Sequence, residues 1–175
     1  MKNKFGWDKK DFESCLEKVS YPNKIKSNNY LQEGRFPIVS QDENLVCGFW
    51  DDESDVLKIQ DSVVVFGDHT RALKYVDFDF VVGADGVRVL LPKSFMRSKF
   101  LYYYLKWVNV PSLGYSRHYK LLKELNLPIP PLPTQHQIVS ELDALSEIIS
   151  KKKQQLEELD KLAQATFYDM FGDLS

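Results

Sequence analysis

The chain has 175 residues, 43% hydrophobic and 27% charged, which suits a globular domain with one appendage. The net charge of −2 taken alone argues against a nucleic-acid binder, and no apolar run approaches the ~18 residues of a membrane span. Cys15 and Cys47 lie outside any CxxC spacing, which disfavours a disulfide framework or zinc module, and Met1-Lys2-Asn3-Lys4-Phe5-Gly6-Trp7 lacks a signal peptide's apolar core, so the chain reads as cytoplasmic.

In chain order, Phe12, Leu16 and Val19 share one helical face and predict a short helix over 8–19. Short β-branched pieces follow at 36–40, 45–50, 56–60 and 62–66, separated by turn residues. Val76, Phe78, Phe80 and Val82 alternate as in one half-buried strand, "GADG" (83–86) is a turn, and "VRVLL" (87–91) is a further strand. Strands at this spacing predict a curved, mainly antiparallel sheet or partial barrel. Residues 94–107 predict a helix capped by Ser94, and Ser116 would cap a short helix over 117–124. The fold class is therefore α+β.

Charge is unevenly distributed. Residues 131–175 carry four basic and eight acidic side chains, whereas 88–124 carry eight basic against Glu124 alone. The second segment also holds Phe95, Phe100, Tyr102, Tyr103, Tyr104, Trp107, Tyr115 and Tyr119. Basic side chains can neutralise phosphates, and aromatics either stack on bases or fill a core.

The four prolines between 128 and 133 favour extended backbone and make a semi-rigid connector. Thr134 and Gln137 have the spacing of a capping box. Two heptad rows follow: Leu142, Ile149, Leu156, Ala163, Met170 and Ile138, Leu145, Lys152, Leu159, Thr166. They alternate at three and four residues, an a/d seam that only Lys152 and Thr166 interrupt, and Gly172 is a natural stop. A helix of this length, about 55 Å, needs either a partner helix or a fold back onto the preceding domain. Ile138, Leu142, Leu145, Ile149, Leu156 and Leu159 are the pairing residues. The expected division is a globular region over 1–130 and a long coiled-coil helix over 131–175.

Five stretches resemble the specificity subunit of type I restriction-modification enzymes: "GRFPIVSQ" (34–41), "VVVFGDHTR" (63–71), "VGADGVRVL" (82–90), "PSLGYSRHYKLLKELNLPIPPLPTQHQIV" (111–139) and "FYDMFGD" (167–173). The resemblance implies a target recognition domain that reads half of a split duplex DNA site. It also implies a helix that spaces and pairs two such domains as an antiparallel coiled coil. Methyltransferase subunits would dock on that assembly and bring the restriction subunit; methyl transfer, cleavage and S-adenosylmethionine would belong to those partners. The usual subunit has two recognition domains and two helical regions, and this chain has one of each. It is a half-length subunit, which a two-fold homodimer would complete, or a fragment.

Candidate DNA contacts fall in three places. Arg35, Gln41, Asn44 and Arg88 lie on probable loops and carry base-reading side chains. In "FGDHTR", His69, Thr70 and Arg71 either shape a turn or touch DNA. In "GYSRHYK", Tyr115, Ser116, Arg117, His118 and Lys120 suit a phosphate at a helix start, or form an ordinary basic loop. Asp68 beside His69 invites a general-base reading, but no nucleophile motif accompanies the pair. No GxGxxG or GxxxxGK[ST] loop, amino-methyltransferase N-P-P-Y/F tetrad or metal-ligand spacing occurs, so neither catalysis, a cofactor nor a metal is expected. Two competing readings are a coiled-coil protein adaptor and a small hydrolase using Asp68 and His69.

Overall fold

The computed structural model describes residues 6–84, 86–114 and 116–172. They form two compact units divided between His136 and Gln137. The fold is α+β, with mixed sheets, short helices and one long carboxy-terminal helix.

The first unit is closed by a ribbon between its two ends. Strand β1 (Asp8–Asp11) runs antiparallel to β11 (Asn126–Ile129), with Asp8 opposite Ile129 and Asp11 opposite Asn126. The expected helix over 8–19 is absent. All four β1 side chains are exposed, leaving a helix there no apolar face on that turn. A distant strand supplies hydrogen bonds instead, continued by Phe12 N–H to the Leu125 carbonyl at 3.0 Å. Pro128 is tolerated because a two-stranded ribbon consists only of edges. A 3-10 turn, Phe12–Cys15, then buries Phe12 and Cys15 completely.

Two sheets make the body. One is antiparallel, in the order β2 (Leu16–Glu17), β10 (Val87–Pro92), β7 (Val63–Gly67), β8 (Leu73–Val76). The other is mixed. β9 (Phe80–Gly83) pairs in parallel with β3 (Lys24–Ile25) and β4 (Phe36–Val39) and antiparallel with β6 (Val56–Leu57), and β5 (Gly48–Trp50) lies antiparallel on β4. Val39, Val63, Val65, Val76, Phe80, Val82, Val87 and Val89 belong to one buried core cluster drawn from both sheets. Helix α1 (Ser98–Val108) packs on β7, β8 and β10 and buries Phe100, Leu101 and Leu105. β7 is buried along its whole length, hence the unbroken "VVVFG" in place of an alternating pattern.

The strand expected through 76–82 is two strands in different sheets. The chain turns at residues 77–79, where the Asp79 carboxylate accepts the Ile59 N–H at 2.8 Å. Helix α1 begins four residues later than Ser94. Residues 93–96 form a turn instead, closed by Met96 N–H to the Lys93 carbonyl at 2.9 Å. Helix α2 is short, Tyr119–Lys123, and follows His118 rather than Ser116.

Helix α3 runs Leu132–Phe171, so Pro133 lies in its first turn. A first-turn N–H has no helical acceptor, and a proline there loses nothing. Thr134 is already inside the helix, which rules out the Thr134/Gln137 capping box. At the far end Gly172 adopts φ 71° and its N–H reaches the Tyr168 carbonyl at 2.9 Å, the left-handed stop expected of it. Among the described residues no helix is long and apolar enough to cross a membrane.

Within the first unit, Gln135 joins the proline stretch to the start of α1. Its side chain is fully buried. Nε2 donates to the Phe95 and Pro130 carbonyls, each at 2.8 Å, and Oε1 accepts the Arg97 N–H at 2.9 Å. Gln135→Leu keeps the volume and strands three backbone groups. The expected cost is about 2 kcal/mol, read as a lower urea midpoint with faster exchange of the Arg97 amide. Unchanged exchange there would contradict the assignment.

Candidate functional site

The site is built around one buried carboxylate. Asp68 directly follows β7 and is 1% exposed. Its N–H donates to the Gly86 carbonyl at 2.7 Å, and its own carbonyl accepts the His118 N–H at 2.8 Å. Its Oδ1 accepts the Tyr119 N–H at 2.7 Å, and Arg88 Nη2 lies 3.6 Å from Oδ2. One residue therefore ties together the β7–β8 turn, the turn before β10, and the loop into α2. The arrangement also disposes of two expectations. The first N–H of α2 is occupied by a carboxylate, so it does not wait for a phosphate. That carboxylate is committed to Tyr119 and Arg88, so it is not placed to orient an imidazole as a general base.

His118 is 1% exposed and serves the same junction. Its Nδ1 lies 2.9 Å from the Asp68 carbonyl, and its Nε2 accepts the Leu113 N–H at 2.9 Å. An acceptor at Nε2 and a carbonyl at Nδ1 assign the proton to Nδ1. The ring is locked into its loop and does not face outward as the sequence suggested. Tyr115 lies outside the described residues. Ser116 is half-buried, its N–H on the Gly114 carbonyl at 2.8 Å; Arg117 and Lys120 are exposed.

The "FGDHTR" turn is held by Gln41, two residues past the end of β4. The Gln41 carbonyl accepts the Thr70 hydroxyl at 2.5 Å, and its Oε1 accepts the His69 N–H at 3.3 Å. Gly86 is required beside them: its φ is 72°, and a Cβ there would come within 2.6 Å of Gln41 Oε1 and 2.8 Å of His69 Cδ2. Gln41 and Thr70 thus act first as scaffold. Arg71 adopts φ 65°, uncommon for a side chain of its size, and Nη1 donates to the Val110 carbonyl at 2.9 Å. Arg71, Thr70, Lys106 and Asn109 line an open groove of about 340 Å³.

Other candidates separate. Arg35 sits elsewhere, its backbone N–H on Asp51 Oδ1 at 3.0 Å and its guanidinium on the Asp51 carbonyl, among the acidic residues 51–53. The Asn44 carbonyl accepts the buried Lys74 ammonium, which fixes its loop. Arg88 stays 44% exposed while its guanidinium lies 4.9 Å from the Tyr119 ring centroid, and Lys123 Nζ is 5.5 Å from the same ring. Burial, with Glu13 adding, holds the Tyr119 hydroxyl above its ordinary range and so neutral.

Sequence reasoning missed Lys123 and the role of Asp68, because the Asp68–Tyr119 contact spans 51 residues and no local pattern signals it. The aromatics of 88–124 divide: Phe100 is core, while Trp107 is 78% exposed next to the Tyr104 ring. Among the described residues no three His, Cys, Asp or Glu side chains are grouped as metal ligands.

A model of the type I restriction modification DNA specificity domain matches residues 6–161. Three solved structures share the fold. A chain from work on complex assembly and conformational transition of the type I R-M system is 21% identical, with a TM-score of 0.69, covering 91% of this chain and 44% of that one. The HsdS subunit from Thermoanaerobacter tengcongensis is 19% identical, with a TM-score of 0.65 and coverages of 95% and 45%. The type I restriction-modification S subunit from M. genitalium is 17% identical, with a TM-score of 0.63 and coverages of 97% and 46%. The chain thus spans less than half the length of each of these structures. No curated protein matches it in sequence.

Asp68→Ala removes the acceptor of the Tyr119 N–H and the partner of Arg88. It should lower stability by about 3 kcal/mol in urea, and Asp68→Asn, which keeps an acceptor oxygen, by less. A loss for Asp68→Ala under about 0.5 kcal/mol would contradict the role given to this residue.

Proposed function

Because the chain belongs to the family of type I restriction-modification DNA specificity domains, we propose that it is a DNA-recognition subunit with no chemistry of its own. The observation that carries this reading is the family match, which takes in the globular unit and much of the long helix. Residues 1–130 read one half of a split duplex site. Residues 131–175 space and pair two copies through Ile138, Leu142, Leu145, Ile149, Leu156 and Leu159. Methyltransferase subunits dock on the paired assembly and carry the reaction, and a restriction subunit joins through them. The subunit contributes position: it holds a partner's active site at a chosen place on the duplex.

The geometry supports a division of labour within the head. Gln41, Thr70, His118 and Asp68 brace the turns. Arg71, Arg88, Arg117 and Lys120 are exposed cations on or next to those braced turns, and suit phosphate oxygens or base edges. His69 and Ser116 lie between the two groups, half-buried at the rim.

Arg117→Glu with Lys120→Glu should weaken duplex binding by the chain with its methyltransferase partner at least tenfold. If each cation neutralises one phosphate, the slope of log affinity against log salt should also fall by about two. The thermal unfolding midpoint of the chain should not move, since both side chains are exposed. Unchanged affinity and slope would remove this surface from the interface. Binding that is insensitive to salt even in the natural chain would remove the DNA-reading function.

A further inference from the structure

We infer that the loop joining β4 to β5, residues 40–47, reads base edges in the major groove. Glu43, Leu45 and Val46 are its specificity-determining side chains, and Lys74 is the residue that positions them. This rests on the DNA-reading function proposed above and names the part of the head that does the reading.

Lys74 singles this loop out. Burial alternates along β8, and Lys74 and Val76 take its inward positions. Val76 belongs to the core, as its position requires, whereas Lys74 is 5% exposed. A buried ammonium is costly, and an apolar side chain would fill the same place without that cost. What the lysine adds is a hold on the loop. Its ammonium donates to the Asn44 carbonyl and lies 3.6 Å from Cys47 Sγ. The rest of the loop is braced as well. The Cys47 N–H donates to the Ile38 carbonyl at 2.9 Å, and its thiol to the Asn44 carbonyl at 3.3 Å. The Ser40 hydroxyl accepts the Asp42 N–H at 3.2 Å and donates to the Asp42 carboxylate at 2.7 Å. A loop held at both ends and at its middle leaves Glu43, Leu45 and Val46 exposed, Leu45 at 44% and Val46 at 36%. Fixed geometry of this kind is what base recognition requires of the side chains that perform it.

The loop also stands beside cations suited to phosphates. Gln41, near its start, holds the "FGDHTR" turn, and Glu43 lines the same groove as Thr70, Arg71, Lys106 and Asn109. Phosphates repel a carboxylate in that place. Its favourable partner on a duplex is a base amino group, and in the major groove cytosine N4 offers one. Leu45 and Val46 gain nothing from a phosphate and match the thymine methyl group, which also lies in the major groove. The minor groove shows mostly acceptors and no methyl group, so it suits neither side-chain type. Arg71 and Lys106 then take phosphates at the edge of the major groove while the loop enters it.

The test uses the full chain assembled with its methyltransferase partner. The probes are the duplex site that the natural chain selects from a randomised pool, and every single-base-pair change within one specified block. Glu43→Gln should cut the preference for one C·G pair about tenfold, leaving the other positions and the slope of log affinity against log salt unchanged. Leu45→Ala with Val46→Ala should do the same at a T·A pair. Both variants should keep the natural unfolding midpoint, since these side chains are exposed. Lys74→Met keeps the length of the side chain and releases the loop, so it should lower the preference at both positions together. If it fails to fold, the two loop variants still decide the matter. A Glu43→Gln chain that binds all duplexes more tightly by the same factor would place the loop over phosphates and overturn the inference. Unchanged preference at every position in either loop variant would overturn it too, with the DNA-reading function left standing. A natural chain that selects no site would overturn that function and this inference together.

Discussion

Burial of the Asp68 carboxylate is the constraint on which the head depends. An ionised side chain at 1% exposure is costly unless charge and hydrogen bonds surround it. Tyr119 N–H and Arg88 supply them, and they come from segments far from Asp68 in sequence. Satisfying one carboxylate therefore brings together the β7–β8 turn, the first residues of β10 and the loop that holds His118. The exposed cations Arg71, Arg88, Arg117 and Lys120 all stand on, or next to, pieces that this contact positions. Gln135 performs the equivalent task where the proline stretch meets α1, with three hydrogen bonds from one fully buried amide.

What could be read from the sequence follows the range of the interactions responsible. The long carboxy-terminal helix, the strands around "FPIVS", "SVVVF" and "VRVLL", and the Gly172 stop are local patterns, and they appear where periodicity puts them. Features set by distant partners do not. β1 is a strand because residues 126–129 lie alongside it; its own residues suggested a helix. The alternating run through 76–82 is broken because its halves serve different sheets. Pro133 looked like a barrier to the helix and lies within its first turn, where no N–H is needed.

The candidate site shows the same limit. Its basic and turn-forming residues could be named in advance, and most of them come together around Asp68. Their roles could not, because role depends on burial and on which atoms are already bonded. His118 carries the residue type of a phosphate ligand, yet both its ring nitrogens are engaged inside the loop. Arg35 carries a base-reading side chain, yet Asp51 holds it in an acidic neighbourhood. Of the exposed cations that remain, Arg88 is steadied by the Asp68 carboxylate and Arg71 by the Val110 carbonyl, neither being covered. In the proposed account these are rigidly presented charges, and the helix seam supplies a second set in a fixed relation. On that proposal, a two-fold pair of such heads would read a site symmetric about its centre.

The most direct test of this account is enrichment of bound duplexes from a randomised pool by the chain assembled with its methyltransferase partner, at moderate salt. The account predicts one enriched site of two short specified blocks, related by two-fold symmetry and separated by a fixed run of unspecified base pairs. A bound pool no different in sequence from the starting pool would contradict it, whatever the affinity.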